Sequence, residues 1–121
     1  MSQYRKKFGA WGEEIAAQYL EERGLSIIER NYRGERGEID LIAQDGHCIV
    51  FVEVKTGSTT THGPPEEWIT TRKQRQLYKV ANRYIQDHPE LVNDFRFDVV
   101  IIDGTPKNYR VRYYPNAFYI L

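Results

Sequence analysis

The aliphatic run VVII at positions 99–102 constrains the fold more than any other feature of the sequence. Side chains of a strand alternate between the two faces of its sheet, so a continuous aliphatic run must be buried on both faces. We therefore predict that residues 95–103 form a central strand, in a sheet with helices covering both of its sides.

The remaining periodicities fit such an α/β protein. Helical spacing of apolar residues predicts one helix from about residue 3 to 23, ended by Gly24, and a second from about residue 71 to just before Pro89. Three antiparallel strands between the helices and one edge strand after the central one are predicted at 25–33, 38–43, 48–55 and 109–114. Residues 115–121 are expected to form an apolar tail. The predicted order is αβββαβ with an appended strand, as a mixed central sheet flanked by helices.

Length and composition limit the class of protein. The 121 residues suffice for one core, so we expect a single domain over 1–121. No apolar run approaches the roughly 20 residues that span a bilayer, and no apolar segment follows Met1, so neither a membrane segment nor a secretory signal is expected. Cys48 is the only cysteine, which excludes an internal disulfide and suits the cytoplasm. Seventeen Lys and Arg residues balance seventeen Asp and Glu residues, so nucleic-acid binding would need a local basic patch.

The hairpin between the second and third predicted strands gathers charged residues. If Asp45 and Gly46 form its two-residue turn, Asp40 faces Phe51 and Glu38 faces Glu53. One face would then be apolar, formed by Ile39, Leu41, Ala43, Cys48, Val50, Val52 and Val54. The other face would carry the charges of Glu38, Asp40, Glu53 and Lys55.

Three carboxylates this close repel one another and need compensating cations. Lys55 supplies one positive charge, and Mg²⁺ or Mn²⁺ bound by carboxylate oxygens would supply the rest. A solvated face with ordinary ion pairs is equally consistent with the pattern. The helical wheel places Glu13 beside the buried stripe of the first helix, able to lean toward Asp40, whereas Glu14 points into water. An ordinary half-exposed helix glutamate is the alternative for Glu13.

The second predicted helix begins with a cluster of polar and basic residues, Arg72, Lys73, Gln74 and Arg75. Cations in a first turn oppose the helix dipole, whereas a phosphate bound at the helix end would make them favourable. With Lys79 and Arg83 they form a basic stripe, for which a solvated charged face is the alternative.

Five motifs resemble, in their order along the chain, the YraN family of small bacterial proteins: GAWGEEIAAQYL at 9–20, RNYRGERGEIDLIA at 30–43, FVEVK at 51–55, TRKQRQL at 71–77 and RFDVV at 96–100. The resemblance implies a restriction-endonuclease-like, PD-(D/E)-x-K nuclease fold, similar to archaeal Holliday junction resolvases. Carried over by motif, it implies a site of Glu13, Asp40, Glu53 and Lys55, with Gln74 as a polar supporting residue. Gly57 stands where the family commonly has an arginine, so one basic contact is missing.

The resemblance thus implies a metal-dependent nuclease that hydrolyses phosphodiester bonds. Asp40, Glu53 and the backbone carbonyl of Val54 would hold Mg²⁺ or Mn²⁺. Glu13 would bind through water or hold a second ion, and Lys55 would orient the attacking water. The phosphates of the nucleic acid, DNA in the first place, would be contacted by Arg33, Arg36, Arg72, Lys73 and Arg75. No base-reading module is visible, so structure-selective or non-specific cleavage is expected.

Two alternatives remain open from the sequence. One is a module that binds nucleic acid on the same fold without cleaving it. The other is a protein-interaction domain that uses the apolar residues 118–121, and a homodimer is also considered. Trp68 is a candidate for stacking on a base, His47 and His62 are expected at the surface, and Cys48 is expected to be buried.

Overall fold

The computed structural model describes residues 3–35, 37–57 and 69–118. In this part of the chain the elements are α1 (Gln3–Glu22), β1 (Ser26–Gly34), β2 (Gly37–Asp45), β3 (Cys48–Gly57), α2 (Thr71–Asp87), β4 (Asp94–Thr105) and β5 (Asn108–Phe118). The strands form one sheet in the order β1-β2-β3-β4-β5, in which β3 and β4 are parallel and the other neighbours antiparallel. The predicted α/β architecture with a mixed sheet is confirmed. Neither described helix is long and apolar enough to cross a membrane.

Strand β4 lies between β3 and β5, as the aliphatic run predicts. All four residues of that run are fully buried. Val100 and Ile102 join the core beneath α1, whereas Val99 and Ile101 pack on the opposite face against Ile69. Both faces of β4 are therefore covered, but on the second face Ile69, which precedes α2, provides the contact.

Helix α1 ends at the predicted glycine. Gly24 has φ 91°, its N–H donates to Glu21 O over 3.0 Å, and Leu25 N–H donates to Leu20 O over 3.1 Å. These two bonds form a Schellman motif, which satisfies carbonyls at the helix end. Upstream of this end, the helix packs on the sheet through Ala16, Ala17 and Leu20.

Helix α2 covers the other face of the sheet. Thr70 caps its start, because Thr70 Oγ1 accepts a hydrogen bond from Lys73 N–H over 3.1 Å. Its buried stripe, Leu77, Val80, Ala81 and Tyr84, packs against Ile39, Ile42, Ile49 and Phe51 of the sheet. The predicted start of this helix and its end before Pro89 are confirmed.

The predicted register of the β2–β3 hairpin is wrong by two residues. Asp45 pairs with Cys48 and Leu41 with Val52, so Gly46 and His47 form the turn. Gly46 has φ 58° and comes first in the turn, the position at which a type II′ loop requires glycine. Continuing this register by one residue sets Asp40 across from Glu53.

The alternation of side chains reverses in β1 and β2, which corrects the predicted face of Ile39. Leu41 packs under α1, but Ile39, two residues away, packs under α2. On the neighbouring strand, Arg30 pairs with Glu14 of α1 while Tyr32 packs edge-on against Tyr84 of α2. The alternation of side chains therefore reverses at paired positions of the two strands, between Arg30 and Tyr32 of β1 and between Leu41 and Ile39 of β2.

The expected apolar tail at 115–121 is also corrected in part. Residues up to Phe118 continue strand β5, and Phe118 pairs with Phe97 of β4. Residues 119–121 lie outside the described residues, as do Arg36, His62 and Trp68.

Candidate metal centre

Asp40 occupies the point where β2 and β3 separate. The ladder of paired residues ends at Leu41 and Val52, and beyond it Asp40 Oδ2 accepts a hydrogen bond from Val54 N–H over 2.8 Å. A side-chain carboxylate thus replaces the backbone partner that Val54 would otherwise have on β2. Asp40 is only 9% exposed, so this carboxylate lies in the protein interior.

Helix α1 brings Glu13 to the same place. Gly12, the residue before it, lies so close to Thr56 of β3 that it leaves no room for a Cβ atom. This close approach explains the second glycine of the GAWGEE motif, because a residue without a Cβ atom lets the helix pack close to the strand. Glu13 Oε1 accepts a hydrogen bond from Asn31 Nδ2 of β1 over 3.0 Å.

Three carboxylates converge at this point. Glu13, Glu38 and Asp40 each offer one oxygen atom, and these atoms all lie within 4.8 Å of one another. Ligand oxygens on opposite sides of one Mg²⁺ would be about 4.2 Å apart, because each lies 2.0–2.1 Å from the ion. A small adjustment of side chains therefore allows one cation to bind all three, and the donor set fits a hard divalent metal.

Glu38 was not assigned as a ligand from the sequence. The hairpin pairing placed it among the clustered carboxylates, two residues from Asp40, and this period-two spacing was the available signal. In the structure Glu38 Oε2 also lies 3.3 Å from Arg33 Nε, whose side chain is largely exposed. Arg33 is thus beside the carboxylates as well as accessible to a ligand.

Glu53 lies next to this cluster but is held by a lysine. Its Oε2 atom is 3.1 Å from Lys73 Nζ of α2, and its side chain is 12% exposed. Glu53 also interacts with Asp40 on the neighbouring strand. Lys73, which the sequence placed among the phosphate contacts, therefore reaches into the acidic site and neutralises one of its carboxylates.

Burial and mutual repulsion keep protons on this site. Burial, followed by the interaction with Glu53, raises the pKa of Asp40 to about 9. Burial and the charge of Glu38 raise the pKa of Glu13 above its ordinary value. A divalent cation would relieve the same repulsion, so cation and protons compete for these oxygens.

Of the other predicted site residues, Val54 and Lys55 lie on β3 and Gln74 lies on α2. Lys55 is half-buried on β3, two residues after Glu53 and so on the same face of the strand. Gln74 Nε2 donates to Ile69 O over 3.2 Å and so supports the segment before α2. For Val54 the structure gives a contact through its N–H, whereas the predicted metal contact was through its carbonyl.

The basic residues of α2 line a surface groove. Its volume is about 320 Å³, and it is lined by Thr71, Arg72, Arg75, Gln76 and Lys79. Arg72, Arg75 and Lys79 are exposed, as a solvated or ligand-binding face requires.

His47 is exposed at the hairpin turn, as predicted, and Cys48 is partly buried beneath α1.

A second buried carboxylate, Asp98 of β4, was not singled out from the sequence. Asp98 is fully buried and accepts hydrogen bonds from Arg96 (3.0 Å), the Tyr113 hydroxyl (2.5 Å) and Asn116 N–H (2.9 Å). Arg96 also lies 3.1 Å from Asp45. This network joins β4 to β5 and to the hairpin, so the Arg and Asp of the RFDVV motif have a structural role.

Comparisons with known proteins agree with the motifs. The model of the "Uncharacterised protein family UPF0102" matches residues 12–102. A UPF0102 protein of Geobacter metallireducens is 42% identical over 118 residues, which cover 98% of this chain and 97% of the relative. One of Clostridium botulinum (strain Loch Maree / Type A3) is 47% identical over 120 residues, covering 95% and 96%. One of Alkaliphilus metalliredigens is 46% identical over 114 residues, covering 93% and 98%. On these grounds the chain belongs to the UPF0102 (YraN) family.

Proposed function

We propose that this chain is a metal-dependent nuclease that hydrolyses phosphodiester bonds in nucleic acid. The observation that carries the proposal is the convergence of Glu13, Glu38 and Asp40 at the point where β2 and β3 separate. We extend the proposal to a restriction-endonuclease-like core. Its support is the sequence E-V-K on β3, directly beside Asp40 on β2, as the YraN resemblance implies.

Three of the four carboxylates would bind the metal directly, and the fourth, Glu53, is a further possible ligand. When bound, Mg²⁺ or Mn²⁺ would relieve negative charge on the scissile phosphate and help to ionise a water molecule. Glu13, Glu38 and Asp40 offer oxygens close enough for one cation. Glu53 is a further donor, because it lies beside Asp40 and has only to release Lys73.

The lysines supply positive charge at the reacting phosphate. Lys55 would orient the attacking water, whose oxygen forms a bond to phosphorus as the bond to the leaving oxygen breaks. Lys73, once released from Glu53, would interact with a non-bridging phosphate oxygen and stabilise the charge that develops there. Lys55 lies on β3 and Lys73 in the first turn of α2, so the two lysines come from neighbouring elements at the site.

The nucleic acid would lie along the exposed side of α2. Arg72, Arg75 and Lys79 present a basic groove beginning at the helix end nearest Glu53, and Arg33 lies beside Glu38. Contacts of this kind bind phosphates without reading bases, so the expected substrate is DNA recognised by its shape or without selection. We place this activity in the cytoplasm, because the chain has a single cysteine.

A cleavage assay tests the proposal. The purified protein is incubated with branched, single-stranded and duplex DNA, in Mg²⁺, in Mn²⁺ and in chelator. Cleavage is expected with metal and not with chelator, and Asp40→Ala or Lys55→Ala should abolish it. Asp94→Ala and Lys107→Ala are matched controls, because both residues are exposed and lie outside the site. Full activity of the Asp40 or Lys55 variant would overturn the assignment.

The same assay, together with a measurement of DNA binding, distinguishes a nuclease from a module that binds nucleic acid without cleaving it. Such a module would bind DNA with a salt dependence that reports its phosphate contacts, and the DNA would stay intact with either metal. Loss of Arg75 should then lower the slope of log affinity against log salt by about one.

An apolar groove favours protein interaction as a second candidate function. It has a volume of about 350 Å³, and half of its lining residues are aromatic, namely Phe51, Tyr78, Phe95, Phe97 and Phe118. Tyr78 and Phe95 are 47% and 37% exposed. Concentration-dependent sedimentation, lost on Phe95→Ser and unaffected by metal, would support this function and a homodimer as its form.

A further inference from the structure

Asn31 has a backbone conformation that is uncommon inside a strand. Its φ is 52° within β1, in the left-handed region that L-residues other than glycine seldom adopt. Asn116, with φ 51°, is the other such residue in the part of the chain that the structure describes. A strained conformation retained within a regular element needs a reason in the surrounding structure.

The conformation of Asn31 coincides with the reversal of the two strands. The neighbours of Asn31, Arg30 and Tyr32, pair with Leu41 and Ile39, which are the neighbours of Asp40. Across this step the side chains of both strands change faces, from α1 to α2. Asn31 thus lies opposite Asp40 at the level where β2 leaves its regular pairing with β3.

The side chain of Asn31 acts on the same site. Its Nδ2 atom donates a hydrogen bond to Glu13 Oε1 over 3.0 Å, linking β1 to α1. A donor bound to one carboxylate oxygen fixes the rotation of the carboxyl group. Groups that orient a metal ligand in this way commonly change metal affinity by 10- to 100-fold.

We propose that Asn31 is a positioning residue of the metal centre. Its left-handed backbone turns β1 and β2 over beside Asp40, and its amide holds Glu13 in the orientation that lets it share a cation with Glu38 and Asp40. This inference rests on the proposed function, since it concerns the same metal site.

Asn31→Gly distinguishes the effect of the side-chain amide from the effect of the backbone conformation. Glycine adopts positive φ without steric cost, so this variant keeps the conformation of β1 and removes only the hydrogen bond to Glu13. Asn116→Gly is the matched control, because it makes the same change at the same φ, and Asn116 donates its backbone N–H to Asp98. Mn²⁺ affinity is measured by isothermal titration, and stability by thermal unfolding.

The expected result is a melting temperature of Asn31→Gly equal to or above that of the unmodified protein, with Mn²⁺ binding weakened about tenfold. Asn116→Gly should leave Mn²⁺ affinity unchanged. Asn31→Ala should weaken binding as much and also melt at a lower temperature than Asn31→Gly, because alanine resists positive φ.

Three results would overturn the inference. Unchanged Mn²⁺ affinity in Asn31→Gly removes the role of the amide, and equal melting temperatures of the Ala and Gly variants remove the role of the backbone. An equal loss of affinity in Asn116→Gly would show general loosening instead of positioning. If the unmodified protein binds no Mn²⁺, the proposed function fails and this inference fails with it. If the unmodified protein binds Mn²⁺ and any of these three results is obtained, only this inference fails.

Discussion

Gly12 of α1 lies directly against Thr56 of β3, so closely that a Cβ atom on Gly12 would come 2.1 Å from Thr56 Oγ1 and 3.0 Å from Thr56 Cβ. Rotation of the threonine side chain moves Oγ1 and Cγ2 but not Cβ, so a larger residue at position 12 requires the helix and the strand to move apart by a few tenths of an ångström. Glu13 follows Gly12 immediately, and its position depends on this contact.

Gly12→Ala should therefore weaken both folding and metal binding. We expect a loss of about 1–3 kcal/mol in the free energy of unfolding, as overpacking commonly gives, together with weaker Mn²⁺ binding. Gly9→Ala, in the same helix, is the control, because nothing lies within 4 Å of its Cβ position. It should leave stability unchanged or raise it by up to about 1 kcal/mol. Equal stabilities of the two variants in urea unfolding would contradict the close approach.

Asp40 should make the metal-free protein less stable as pH rises. Its folded pKa of about 9 lies above the ordinary value of 3.8, so the folded state keeps a proton that the unfolded state releases. The stabilising effect is complete below about pH 4 and is lost as pH rises through 9.

Asp40→Asn removes this dependence while keeping an oxygen that can accept the Val54 N–H. In chelator at pH 8 the variant should be more stable than the unmodified protein by roughly 1–4 kcal/mol, and the difference should shrink toward pH 4. Urea unfolding at several pH values measures this. A difference that stays constant with pH, or one that Asp94→Asn reproduces, would refute the prediction.

Lys73 should compete with a divalent cation for Glu53. Lys73→Gln removes the ammonium group 3.1 Å from Glu53 Oε2, so the carboxylates should bind Mn²⁺ several-fold more tightly at low salt. Stability without metal should fall by no more than about 1 kcal/mol, because Lys73 is partly exposed. Lys79→Gln, an exposed position on the same helix, should change neither quantity. Weaker Mn²⁺ binding in Lys73→Gln would contradict the competition.

The Asp98 network should affect stability without affecting the metal. Asp98→Ala leaves Arg96 without its buried partner and should cost about 3–5 kcal/mol. Tyr113→Phe removes one hydrogen bond and should cost about 1–2 kcal/mol. At a temperature where Tyr113→Phe is folded, its Mn²⁺ affinity should match that of the unmodified protein. A well-folded Tyr113→Phe that loses Mn²⁺ binding would show that this network belongs to the site.

Local sequence signals were sufficient for most elements of the fold. Gly24 and the stripe of Ala16 and Leu20 predict the end and the buried face of α1, and the aliphatic run predicts that β4 is an interior strand, between β3 and β5. The hairpin register was missed for a specific reason. A turn at Asp45-Gly46 and a turn at Gly46-His47 differ by two residues in pairing, and a period-two pattern is unchanged by that shift.

The parts of the candidate site that depend on the spacing of residues along helices and strands could be predicted. The parts that depend on an unusual backbone conformation or on a long side chain could not. The convergence of Glu13 on Asp40 follows from the helical wheel and the strand order. The exchange of faces at Ile39 coincides with the left-handed backbone of Asn31, which no hydrophobic pattern records. The long side chain of Lys73 crosses from one element to another, and sequence spacing does not specify such a contact.

The hydrogen bond from Val54 N–H to Asp40 Oδ2 links a backbone amide of β3 to the charge of the candidate ligand. The magnetic resonance signal of that amide proton should shift whenever Asp40 gains or loses a proton or takes a cation. One backbone resonance would then serve as a built-in indicator of the occupancy of the site, readable in solution before any substrate is known.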